Sequence, residues 1–98
     1  MPNPDTTTYR MRGRVVVRRI GADSLLVPVS GAAAGGNVYP VNETALCVWN
    51  CISSGGTARQ AARQLTASYR VTEPQALIDC RACIQAFLEE SLIEAQTP

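Results

Sequence analysis

The 98-residue chain contains no histidine, and its nine Lys+Arg positions are all arginine, so it has no lysine either. The first absence removes the commonest general base and every triad built on imidazole. The second removes Schiff-base chemistry. No Gly-rich loop leads into a Lys and a hydroxyl, so a P-loop phosphate cradle is missing, and the acidic residues are scattered rather than paired. No run of about 20 apolar residues occurs, and the opening MPNPDTTTYR lacks the apolar stretch of a secretion signal. These absences leave little material for an enzyme. They describe a small cytoplasmic binding domain with no cofactor and no membrane partner.

What remains is enough for one hydrophobic core and too little for two. A net charge of +1 does not announce a nucleic-acid partner. Its distribution says more. Arg10, Arg12, Arg14, Arg18 and Arg19 crowd the first twenty residues beside Asp5, whereas Glu73, Asp79, Glu89, Glu90 and Glu94 surround Arg81. The pattern predicts a molecule with a basic pole and an acidic one.

Residues 1–8, rich in Pro and Thr, read as a loose tail, 9–94 as the folded domain and 95–98 as a loose end. From Tyr9 to Ile20 the residues alternate in part, with Val15 to Val17 at the centre, which predicts one strand with a wetter, Arg-lined face. A turn at 21–23 leads to a second strand, Ser24 to Val29, in which Pro28 removes a donor and so favours an edge or an end. The stretch SGAAAGG at 30–36 predicts a long hairpin loop or wing, followed by a short third strand from Val38 to Val41.

After residue 42 the period changes from two to nearly four. Asn42 is placed to cap a helix carrying Ala45, Trp49 and Ile52 on one stripe. Thr57 and Gln60 have capping-box spacing and open a second helix, with Ala61, Leu65 and Tyr69 turned inward. Thr72, Pro74 and Gln75 repeat the device for a third, whose stripe runs through Leu77, Cys80, Ile84 and Phe87 or Leu88. Trp49, Leu65, Leu77, Ile84 and Leu88 are the expected core. Three strands followed by three helices bury the sheet against the helices, an α+β arrangement of the winged helix-turn-helix kind.

The four cysteines are the one set that could carry other chemistry. Cys47 and Cys51 are four apart on the first helix, Cys80 and Cys83 three apart on the third, so four thiolates could converge on a metal. The pairs lack the Gly-rich knuckles of structural zinc sites, and cysteine is among the most buried residues. Small buried hydrophobes are the favoured reading, with a disulfide and a metal-organising subunit as alternatives. Cys80 also lies about two turns inside its helix, away from the N-terminal dipole that a redox CxxC needs.

The order and spacing of residues 15 to 93 resemble the PqqD family, small proteins of pyrroloquinoline quinone biosynthesis and their relatives in the maturation of ribosomally made peptides. The resemblance rests on Val41-Asn42, Thr44-Ala45, Trp49, Gly55-Gly56, Thr57, Leu65, Tyr69 with Val71, Asp79, and the apolar end at Phe87, Leu88, Leu92 and Ile93. Val41 stands where the family usually has Leu, Pro40 interrupts the strand before it, and Ser91-Leu92 replaces a more usual Gly-containing end.

The resemblance implies a recognition element that binds the leader of a precursor peptide as an added strand and presents it to a modifying enzyme, typically a radical-SAM one. Transferred to this chain, the receiving edge is Val38, Tyr39, Pro40 and Val41, and the groove wall is Ile78, Arg81, Ala82 and Gln85. Pro40 either turns its nitrogen to the free edge, removing one ligand hydrogen bond, or turns it inward and shortens the pairing with the second strand. A winged-helix regulator touching duplex DNA through Arg12, Arg14 and Arg18 is the rival reading, disfavoured because the third helix is net acidic. An open edge also permits a homodimer.

Overall fold

The computed structural model describes residues 6–31 and 36–96. In chain order these form β1 (Tyr9–Met11), β2 (Arg14–Ile20), β3 (Asp23–Ser30), β4 (Tyr39–Val41), α1 (Glu43–Ser53), α2 (Ala58–Ser68), α3 (Glu73–Glu89) and β5 (Ile93–Ala95). The architecture is α+β: a three-stranded antiparallel sheet of order β2-β3-β4, three helices packed on one another with α1 against β4, and a separate two-stranded β1-β5 pair. The winged-helix-like order of sheet then helices is present. Part of the expected wing, 32–35, lies outside the described residues, as do 1–5 and 97–98.

The expected single strand from Tyr9 to Ile20 is broken in two, and Gly13 is the reason. It has φ +83°, and a Cβ there would lie 2.4 Å from the Ser30 carbonyl oxygen. Gly31, at φ +91°, would meet the Arg12 carbonyl equally closely. Two backbones cross here with no room for a side chain on either. Gly13→Ala should therefore cost at least about 2 kcal/mol, from the left-handed conformation and the backbone clash together. A urea midpoint unchanged from wild type would refute this account of the crossing.

Released at Gly13, β1 turns away and pairs with the end of the chain, Tyr9 opposite Ala95 and Met11 opposite Ile93. Order thus continues past the boundary expected at 94: the Gln96 amide donates to the Thr8 carbonyl at 2.9 Å. The return is set by the end of α3. The Leu92 amide donates to the Phe87 carbonyl and the Ser91 amide to that of Leu88, a Schellman turn with Ser91 at φ 60°, in the left-handed place that glycine occupies most easily. The turn delivers Glu94 to Arg10 at 2.6 Å and to Arg12 at 3.8 Å. The two charge poles expected from the sequence are in this part joined rather than opposed.

The helices begin as their caps dictate. The Asn42 side chain accepts from the Ala45 amide, and Thr57 and Gln60 form a reciprocal capping box. Thr72 accepts from the Gln75 amide, but the Gln75 side chain donates onward to Asp79 at 3.0 Å, so the expected second box is only half made. On α3 the buried stripe is Ala76, Cys80, Ile84 and Phe87; Leu77 and Leu88, expected inside, are half-buried at its margin. Trp49 and Leu65 are each 2% exposed. Trp49 meets Phe87 edge to face with ring centroids 5.2 Å apart, which locks α1 to α3.

Candidate functional site

β3 is the middle strand, so Pro28 is not on an edge, and its position carries information about the rest of the sheet. Opposite residues in an antiparallel pair alternate between exchanging two hydrogen bonds and exchanging none. Pro28 is opposite Val15 on β2, and without an N–H it must occupy a non-bonded pair there. Two-residue alternation then turns the amide and carbonyl of Leu26 and Ser24 away from β2, toward β4. These residues face Tyr39 and Val41, with Leu25 opposite Pro40 between them. Pro40, which also lacks an N–H, falls on the non-bonded pair as it must.

Two prolines on different strands thus require the same alternation. Pro40 turns its nitrogen and carbonyl to the free edge of the sheet, and Pro28 stands where the ladder would continue toward residue 37. The missing donor there is why β4 is only three residues long.

β4 is the terminal strand of its sheet. Tyr39 and Val41 are half-buried on the face shared with Ser24 and Leu26, while Val38 and Pro40 are exposed on the other. On α3, Ile78, Arg81, Ala82 and Gln85 are all exposed. Their spacing of three and four places them on one side of the helix, away from the buried stripe. Val38 at 50% and Ile78 at 56% exposure are two large apolar side chains left in water, one on each expected wall.

The link between the walls is Tyr39, whose hydroxyl lies near enough to Glu90, just past the end of α3, and to Asn37 for both to act on its ionisation. Loss of solvent, then the nearby Glu90 carboxylate, push the phenol above its ordinary range. Glu90 and Asn37 were not among the sequence candidates; no periodicity singles out a residue immediately beyond a helix end. Gln85, whose amide donates to Glu89, is nearest this junction. Ile78 starts about 18 Å from Glu90 along the helix axis, at 1.5 Å rise per residue.

The cysteines are all free. Cys80 is buried, and the thiols of Cys83, Cys47 and Cys51 are near enough to disfavour its ionisation further, so α1 and α3 do bring them into one neighbourhood. Among the described residues no group of three or more His, Cys, Asp or Glu is placed to hold a metal ion. Burial first, then its neighbours, push Cys80 up to about 12, and burial also raises Cys51 and Cys83.

Because the fold favours the protonated thiols, their contribution is fully present below the unfolded-state value near 9.0 and is lost as pH rises toward about 12. The urea midpoint should fall between pH 8.5 and 10.5, about the onset of that window. Cys80→Ala should flatten this fall, and an equal slope in the two proteins would contradict the assignment.

Two open hollows lie elsewhere, on the α1–α2 side: one of about 540 Å³ beside Cys51, Gly56 and Arg63, another of about 400 Å³ beside Arg19, Cys47 and Tyr69. Neither includes β4 or α3. Among the described residues no helix is long and apolar enough to cross a membrane.

The family model described as Coenzyme PQQ synthesis protein D (PqqD) matches residues 22–93, from the turn before β3 to the start of β5. The chain belongs to the PqqD family. Two solved structures share its fold. One, described as lasso peptide synthetase B1 complexed with the leader peptide, is 21% identical with a TM-score of 0.73, covering 88% of this chain and 96% of that one. The other, TbiB1 in complex with the TbiA(beta) leader peptide, is 18% identical with a TM-score of 0.72, covering 91% of this chain and 99% of that one. No curated protein matches the sequence.

Proposed function

We propose that this domain binds the leader of a ribosomally made precursor peptide by strand addition at β4, with the exposed side of α3 as the second wall, and presents it to a maturation enzyme in the cytoplasm. The observation that carries the reading is the terminal position of β4 with Val38 and Ile78 left exposed beside it. An unpaired edge supplies main-chain affinity, and apolar pockets next to it read alternate side chains. Both structural neighbours are described in complex with a leader peptide, which supports the same class of ligand here.

Val38, Tyr39, Pro40 and Val41 form the receiving edge, and Ile78, Arg81, Ala82 and Gln85 the wall. The family resemblance favours a radical-SAM enzyme as the receiver, while the description of one structural neighbour as a lasso peptide synthetase B1 supports a lasso-type enzyme instead. Co-elution of the domain with each enzyme in turn separates the two.

Duplex DNA through Arg12, Arg14 and Arg18 has less support, since Arg12 is drawn to Glu94. The test is an amide NMR titration of the labelled domain with the synthetic leader half of the precursor encoded beside its gene. Saturable shifts centred on 38–41 and 78–90 are expected. An unchanged spectrum at millimolar peptide, with shifts on adding duplex DNA, would overturn the proposal in favour of the regulator.

A further inference from the structure

Resting on that reading, the alternation required by Pro28 and Pro40 determines what β4 offers an incoming chain. Residues 38 and 40 are the positions whose backbone groups face the free edge. Tyr39 and Val41 direct theirs to Leu26 and Ser24. Beyond Val41 the edge offers no further acceptor, because the Asn42 carbonyl is taken by the Leu46 amide at 2.9 Å and the chain enters α1. The accessible template is therefore the N–H and C=O of Val38 and the C=O alone of Pro40. Along residues 38–41 it has two acceptors and one donor.

We infer that Pro40 is a register-setting residue: the incoming strand forms one complete pair, with Val38, and one half-pair, in which a peptide N–H donates to the Pro40 carbonyl and nothing donates in return. The peptide residue that faces Pro40 must carry an N–H and so is not proline. A strand shifted by two residues would exchange its complete pair for the half-pair, and one shifted by a single residue would present the wrong side of its backbone. Val38, outside the bounds of β4 proper and half exposed, is on this account the principal main-chain contact.

The peptide's side chains follow from the same alternation. Residues opposite Val38 and Pro40 point to the open face of the sheet. Residues opposite Tyr39 and Val41 point to the helical face, toward the junction that Tyr39 makes with Glu90. The groove therefore reads every second side chain, and the backbone template fixes which set it reads.

The test uses the same synthetic leader half, with binding measured by calorimetry. Pro40→Ala restores the missing donor and should tighten binding about fivefold, the effect of one net hydrogen bond. Independently of that variant's folding, single amide-to-ester replacements along the peptide should reveal two sensitive positions, two residues apart, each weakening binding to the wild-type domain about fivefold. If the wild type binds but Pro40→Ala is unchanged, or if three or more alternate esters are sensitive, the ladder is longer than inferred and the register assignment is wrong. If the wild type binds nothing, the peptide reading fails and takes this inference with it.

Discussion

Val38→Asp, Ile78→Asp and Ala82→Arg should each weaken binding of the leader half by at least about tenfold while leaving the free energy of urea unfolding within about 0.5 kcal/mol of wild type. The two halves of this expectation have different causes. Stability is spared because all three positions are exposed, with Val38 and Ile78 at least half in water, and exposed substitutions away from caps and turns rarely exceed that figure.

Binding is lost because an incoming strand covers these positions. A carboxylate at 38, on the open face beside the one complete backbone pair, is partly desolvated by the peptide side chain opposite it, at a cost expected to exceed the 1.4 kcal/mol that corresponds to tenfold. Arg at 82 fills the wall with a long side chain where Ala leaves space. The three need not be equal. Val38 is next to Tyr39 and the junction with Glu90, whereas Ile78 is more than three helical turns from it, so a weak effect at 78 alone would shorten the groove to its C-terminal end. Full affinity in all three folded variants would remove the site from this surface.

The sequence made the helices legible because their signals are local. Asn42, Thr57 with Gln60, and Thr72 each act within three residues, and each does bond the amide three residues on. The third strand and its apolar-Asn exit into a helix were visible for the same reason. The β1-β5 pair was not, because it joins residues more than 80 apart, and strands of three residues leave too short a pattern to detect. Its sign in the sequence was Gly13, an interruption that alternation alone passes over. On α3 the stripe was displaced by one residue at its start, where Ala76 and not Leu77 is buried, and of the pair Phe87 or Leu88 the first is the buried one; Leu outranks Ala in hydrophobicity, although packing selects for position as well as size. The direction of Pro40 was undecidable from one strand and became decidable once Pro28 and the register on both sides of β3 were known.

Trp49→Ala should destabilise the domain by about 3–5 kcal/mol, enough to leave a chain of this size close to unfolding at 25 °C. Trp49 is 2% exposed, and its ring stands at 82° to that of Phe87, so truncation removes apolar burial, opens a cavity and ends the edge-to-face contact between α1 and α3. The cavity cannot close cheaply, because both helices are held elsewhere: α1 by its Asn42 cap at the exit of β4, and α3 by the Schellman turn that feeds β5. Trp49→Phe keeps most of the ring and should lose less than half as much. Since this is the sole tryptophan, unfolding must be followed by far-ultraviolet circular dichroism rather than fluorescence. The variant also separates packing from recognition. Trp49 is buried and is not one of the expected groove residues, so at a temperature low enough to keep Trp49→Phe folded its affinity for the leader half should match wild type within about twofold. A loss of affinity in the folded variant would mean that α1 and α3 transmit their packing to the groove, and that the edge is less independent of the core than its geometry indicates.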